Sequence, residues 1–401
     1  MFSLDRFYKI IHNNLITTIS RSQSFYFFPF GTYNNLLALT SQFDTILPNT
    51  GQHWGEDGFF HFYFFDQEPF YNFTKLIFDQ KRASFKHIKR ANRFNVLAIS
   101  EHSKLVSEYA ESENYYVWYY FFHGFLALEW YRDFKYLTPE SFNQFDKVFI
   151  CYNHLTSKYR SYRLHLVSNL IEKDLIKHGR VSLFHNGWQE TIEDPENPLD
   201  NRARIKIYNA LHNLENPLTI DTAEPDGTLS AQVNFDDLTS ALFHVVTETI
   251  YFDPKLHLTE KVFKPIVAKR PFFLVAAPGN LAYLKSYGFK TFDHWIDESY
   301  DSEQDHYIRI EKITAELARL CDMGPDALEQ MYLEMQEILE YNFNHFYGNF
   351  KNIIVDELVD NFKHILCQIN NNRQPNNHSK YHQGCELTSE YLLEVKKRLK
   401  Q

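Results

Sequence analysis

The sequence predicts an α/β protein of two domains, each built on its own parallel sheet. Three observations carry this. The chain has 401 residues, enough for two separate cores and hence for two Rossmann-like halves. Residues 243–246 and 271–277 are short apolar, β-branched runs, the first closing at Glu248 and the second at Pro278-Gly279, as expected of strands buried on both faces. Between them Thr259-Glu260-Lys261 opens a helical stretch. Thr259 suits the cap, Glu260 suits the positive end of the dipole, and Val262, Phe263, Ile266 and Val267 share one apolar face. Pro265 is expected to shorten that helix.

Composition narrows the class. With 44% hydrophobic and 17% aromatic residues the chain is globular rather than disordered. A net charge of −10 argues against a dedicated nucleic-acid binder and restricts any such contact to a local patch. The four cysteines stand far apart without a CxxC pair, so neither a zinc site nor a disulfide framework is indicated. A reducing, cytoplasmic setting follows as the expectation. No run reaches the ~18 apolar residues of a membrane helix. Asp5, Arg6 and Lys9 interrupt the first twenty residues, which makes a poor signal peptide.

In chain order, residues 1–145 form the expected first domain. Residues 59–65 are an aromatic strand running into Asp66-Gln67-Glu68-Pro69. Pro69 stops the strand and leaves Glu68 at its carboxyl end, either lining a cleft or capping the next helix. Residues 79–93 place Arg82, Lys86, Lys89 or Arg90, and Arg93 on one helical face, which is a solvated face or a contact for an acidic acceptor. Residues 95–99 are a strand, after which Ser100 is expected to cap a helix and Glu101 to point into an interdomain cleft. The aromatic stretch 115–130 begins as a strand closing the first sheet, with Gly124 permitting a turn. His123 within it is a candidate for an acceptor hydroxyl or a packing residue. Residues 132–145 have linker character.

The second domain, 146–302, opens with a strand over 147–152, a turn at Asn153 and a helix over about 158–177 carrying Arg160 and Arg163. A helix start after the first strand of such a half favours a pyrophosphate, although no GxGxxG fingerprint is present. Residues 188–237 are polar and rich in Asn, Asp and Pro, as in a long loop insertion. They hold no convincing metal constellation, and Asp66-x-Glu68 is only superficially like a metal-binding Asp-x-Asp. A helix over 280–287 ends at Gly288, a short strand covers 289–292, and an acidic, aromatic loop follows to 301. Residues 303–370 read as helices bracing both domains, with Ile308, Ile310, Ile313, Leu317 and Leu320 on one face and a break at Met323-Gly324-Pro325. A flexible link then leads, within 371–401, to a last helix over 389–400.

Phe243, Glu248 and Thr259-Glu260-Lys261, followed by a helix and an apolar strand ending near Pro278-Gly279, resemble the donor-binding motif of the α1,3-fucosyltransferases. With residues 148–187 the likeness spans about a third of the chain. It implies the GT-B architecture, two Rossmann-like domains facing across a cleft, in a soluble microbial or viral version of the family. It also implies an inverting glycosyltransferase that moves fucose or a related hexose from a nucleotide-sugar, GDP-linked for example, to a glycan hydroxyl. Such enzymes generally need no metal and no further cofactor. Asn153, Arg163 with Arg160 competing for its role, Glu248, Glu260 and Lys261 would then bind the donor. Gln67-Glu68-Pro69 loosely resembles a Glu-Ser-Pro segment of the family's acceptor domain, which makes Glu68 the candidate base. Glu101 and His123 are the acceptor-side candidates. Two other readings stand beside it: the same chemistry on a modified nucleic acid held by the 79–93 face, and a non-catalytic binding or structural protein that keeps the fold.

Overall fold

The structure, a computed structural model, describes residues 4–16, 23–27, 60–65, 94–113, 115–136, 145–183, 187–214, 218, 234–371 and 388–401. It is α/β, with two four-stranded sheets whose strands all pair in parallel. The chain divides into two units, Met1–Glu129 with Lys351–Gln401, and Trp130–Phe350.

In the first unit β1 (Gln23–Phe27), β2 (Phe60–Phe65), β3 (Phe94–Ile99) and β4 (Tyr115–Tyr119) lie side by side in chain order. Phe62 and Phe64 of β2 point to one buried face, as the period of two requires. Phe64 meets the Trp118 indole edge-on at 6.2 Å, and that indole donates to the Leu358 carbonyl at 3.0 Å. The helix Lys351–Asn371 thereby covers β4, and its Asn361 amide also donates to the Tyr119 carbonyl at 2.9 Å. The last helix, Ser389–Lys400, is capped by Thr388 and joined to its neighbour by Lys400 and Lys396 on Asp356 and Asp360. Two local expectations change. Gly124 lies inside the helix Phe122–Trp130 rather than at a turn. The helix Lys104–Glu113 is capped by Ser103, whose hydroxyl accepts from Val106 N–H at 3.2 Å, while Ser100 accepts from Phe122 N–H.

In the second unit the strands are β5 (Lys147–Cys151), β6 (Gly179–Val181), β7 (Ala241–Thr247) and β8 (Phe272–Val275), in the order β6-β5-β7-β8. The chain therefore winds one way from β5 to β6 and the other way from β5 through β7 to β8. All seven residues of β7 are buried, which explains why it reads as a largely apolar run interrupted by His244. At Gly179 a Cβ would stand 2.4 Å from the Phe149 ring, so only glycine lets β6 approach β5 this closely.

Several elements here differ from the sequence-based expectation. The single helix over 158–177 is a 3₁₀ turn at Lys158–Arg160, a helix over Tyr162–Glu172 and a second 3₁₀ turn at Ile176–His178. The polar stretch 188–237 carries the helices Trp188–Glu193 and Asn201–His212, the latter capped by Asp200 on Ala203 N–H and burying Ala203, Ile207 and Leu211. Residues 219–233 lie outside the described residues. Residues 289–292 are not a strand. Asn342 accepts from Lys290 N–H and donates to its carbonyl, Glu298 accepts from Phe292 N–H, and Phe289 packs on Phe263 and Phe350. On the helix His306–Cys321, Ile310, Ile313, Leu317 and Leu320 are buried and Ile308 is exposed. Pro325 starts the next helix at the predicted break.

Two buried histidines give this unit a defined acid response. Burial pulls His165 and His244 from the ordinary 6.5 to about 3, with the hydrogen bond to the Leu238 carbonyl opposing the shift at His244. The unfolded chain takes up protons near 6.5 that the native fold refuses. Each histidine thus contributes stability that is lost as pH falls from 6.5 towards 3, at about 1.4 kcal/mol per pH unit. The urea midpoint is expected to drop between about pH 7 and pH 5, and to drop less in His165→Phe. Equal slopes for the two proteins would contradict the assignment.

Candidate functional site

Between β5 and β7 the direction of winding reverses, and in open parallel sheets the loops leaving the carboxyl ends at such a reversal form a crevice that suits ligands. Asn153 follows β5 there and Glu248 follows β7. Among the described residues, the first unit's four strands show no such reversal.

The Glu248 carboxylate is fully buried. It accepts from Thr259 N–H at 3.1 Å, from the Thr259 hydroxyl at 2.5 Å and from Thr249 N–H at 3.3 Å. That hydroxyl in turn caps the turn Glu260–Val262 by accepting from Lys261 N–H, and also accepts from Lys261 Nζ at 3.3 Å. Its one donor and two acceptor sites are thus all used. Lys261 Nζ pairs with Glu260 at 2.9 Å, and its side chain, 29% exposed, is the part of this cluster that reaches solvent. Burial pushes the Glu248 carboxyl up, against the nearby Lys261 ammonium and the Thr259 hydroxyl, while Glu260 adds to the rise. The buried Tyr131 phenol is pushed up by burial and by the Glu260 and Glu248 carboxylates.

The two arginines part company. Arg163 is buried and donates to the carbonyls of Leu155 at 2.9 Å, Thr247 at 3.0 Å and Glu248 at 3.3 Å. It clamps the loop after β5 to the end of β7, helped by the Tyr162 hydroxyl donating to the Glu248 carbonyl. Its donors are turned to backbone carbonyls and to the Tyr162 hydroxyl, so it builds the crevice. Arg160 sits half-buried in the 3₁₀ turn, and its guanidinium makes no hydrogen bond or ion pair among the described residues. Lys158, which opens the turn, holds the strained left-handed conformation with φ 53°. Asn153 is buried, with its amide donating to Ser182 O and Cys151 Sγ at 3.2 Å each, and its Oδ1 has no partner among the described residues.

The loop from β7 to Thr259 is held by residues that no sequence pattern marks. Asn280, fully buried, accepts from His257 N–H at 2.8 Å and donates to the carbonyls of Lys255 at 2.8 Å and Ala277 at 2.9 Å. Its only local signal is its place after Gly279, whose φ of 82° turns the chain out of β8. Asn280→Ala leaves three backbone groups unpaired and is expected to lower stability by about 1–3 kcal/mol, read from the shift of the urea midpoint. An unchanged midpoint would show that water replaces the amide.

In the first unit, Glu101 and His123 are buried at the carboxyl ends of β3 and β4. Glu101 accepts from the Ser103 hydroxyl at 2.8 Å, and His123 stands edge-on to Phe122 in the first turn of its helix. His102, beside them, stacks on Tyr119 at 3.5 Å. Glu68 and the basic face 79–93 lie outside the described residues. Among the described residues no group of His, Cys, Asp or Glu side chains is placed to hold a metal, and no helix is long and apolar enough to cross a membrane.

No family model, no curated protein and no solved structure matches the chain.

Proposed function

We propose that the second unit binds a nucleotide-sugar at the reversal between β5 and β7, and that the chain is an inverting glycosyltransferase of GT-B architecture acting on a glycan hydroxyl. One observation carries this reading. Glu248 and Thr259-Glu260-Lys261, separated in sequence, are tied into one charged cluster at the carboxyl end of β7, and Arg160 lies in the turn that follows β5, the neighbouring strand. These are the residues in which the chain resembles the donor motif of the α1,3-fucosyltransferases.

In this reading Lys261 and Arg160 stabilise the diphosphate, first as ligand and then as leaving group. Glu260 faces the ribose or sugar, while Glu248, Arg163 and Asn153 hold the loops in place. The acceptor oxygen attacks the anomeric carbon as the bond from that carbon to the diphosphate oxygen breaks. Glu68 takes the hydroxyl proton, and Glu101 and His123 lie on the acceptor side. The arginine and lysine charges take the part a divalent cation plays in other transferases.

A thermal-shift panel of GDP-, UDP- and ADP-linked hexoses is the test. A purine-linked sugar is expected to raise the melting temperature most, and incubation with glycan acceptors should give a product of inverted anomeric configuration. A panel in which no nucleotide-sugar shifts melting would reject the reading.

A further inference from the structure

One hydroxyl stands between the buried Glu248 carboxylate and the Lys261 ammonium. Thr259 is 2% exposed, so its hydroxyl is out of a ligand's reach, yet it touches both charges. Glu248 Oε1 accepts from Thr259 N–H at 3.1 Å, and Oε2 accepts from Thr249 N–H at 3.3 Å. With N–H donors on both oxygens, this carboxylate acts as an acceptor, and the Thr259 hydroxyl, 2.5 Å from Oε2, points its proton there. Its lone pairs are thereby turned to Lys261, where they meet the backbone N–H at 3.4 Å and Nζ at 3.3 Å. Glu260, whose side chain is 5% exposed, takes a second donor of the same ammonium at 2.9 Å. An ammonium has three donors. Thr259 and Glu260 use two of them, and the third has no partner among the described residues, on the side chain of the cluster that reaches solvent.

We propose that Thr259 is a positioning residue for the diphosphate: oriented by Glu248, its hydroxyl holds the Lys261 ammonium so that the remaining N–H is presented to a phosphate oxygen. The buried carboxylate then does more than hold a loop, because it sets the direction of the hydroxyl that steers the cation. A lysine swings on a flexible four-carbon stem, and anchoring it beforehand reduces the entropy lost when the phosphate binds. It also keeps the charge where the leaving oxygen becomes negative. The inference rests on the nucleotide-sugar reading of this site and adds to it a residue that touches no substrate.

Calorimetry on the full chain tests it, in EDTA, with ADP, GDP and UDP, and the tightest binder is carried forward. Thr259→Val keeps the shape of the side chain but removes the hydroxyl, and it is measured both alone and combined with Lys261→Met. It is expected to weaken binding by about fivefold or more when Lys261 is present and by less than about twofold when it is absent, with Thr259→Ser within about twofold of wild type. Those results support the proposal. A Thr259→Val protein that binds as wild type does overturns it. So does an equal loss with and without Lys261, because a hydroxyl that only caps the turn acts independently of the ammonium. If Thr259→Val does not fold, Lys261→Arg decides, since the planar group keeps the charge but does not fit the two anchors. A loss of about fivefold or more is then expected, and binding within about twofold of wild type would overturn the proposal. Absence of binding by all three nucleotides to wild type would reject the donor reading itself and this inference with it.

Discussion

Arg309→Met is expected to destabilise the second unit by about 3–5 kcal/mol, the largest single effect outside the reaction itself. The guanidinium is 1% exposed and donates to the carbonyls of Tyr251, Ala276 and Glu303, each at 2.9 Å, and of Gln304 at 3.5 Å, with its plane over the Tyr251 ring. One side chain thus joins the loop after β7, the end of β8 and the segment leading into the helix His306–Cys321. Methionine fills much of the volume and leaves these acceptors buried without donors. Arg309→Lys keeps the charge but not the planar fork, and should recover less than half of the loss. Chemical denaturation of the three proteins measures it. A loss below about 1 kcal/mol for Arg309→Met would show that water reaches these carbonyls and that the loop is held by other contacts.

Glu68→Gln is expected to lower kcat by ~10²-fold or more while donor affinity stays close to wild type. Glutamine keeps the size and hydrogen bonding of the side chain but cannot accept the proton of the attacking hydroxyl. β2 ends at Phe65 and pairs there with Ile99 of β3, the strand that leads directly to Glu101. Near-normal turnover in Glu68→Gln, or loss of stability and donor binding instead, would make Glu68 a helix cap and leave the base unassigned.

What the sequence reveals and what it hides follows from how far each signal reaches along the chain. The α/β class and the strands β7 and β8 are legible because buried parallel strands make mostly apolar runs, continuous in β8 and broken by His244 alone within residues 243–246 of β7. The Thr259 cap is legible because capping is decided within three residues. Arg160 and Arg163 look equivalent on one helix, yet the helix breaks at Ser161, so Arg160 stays in the short turn and Arg163 turns inward. Phe289 and Phe292 suggest a strand, but the backbone beside them is satisfied by Asn342 and Glu298, which no local pattern announces. The helix Asn201–His212 hides in a polar stretch because its cap, Asp200, and its exposed face are themselves polar. Asn280 and Arg309 matter through contacts that exist only once the loop from β7 is folded against β8. The strand order, which locates the reversal, has no signature in composition or periodicity at all.

The central claim is that the reversal between β5 and β7 is a nucleoside diphosphate site whose countercharge is supplied by the protein. Titration calorimetry of GDP against the full chain in EDTA tests it most directly. One-to-one binding is predicted without divalent metal, weakened by about tenfold or more in Lys261→Met and in Arg160→Met, with the melting temperature unchanged in Arg160→Met. Binding that appears only with magnesium or manganese, or that survives undiminished in both variants, would contradict the account.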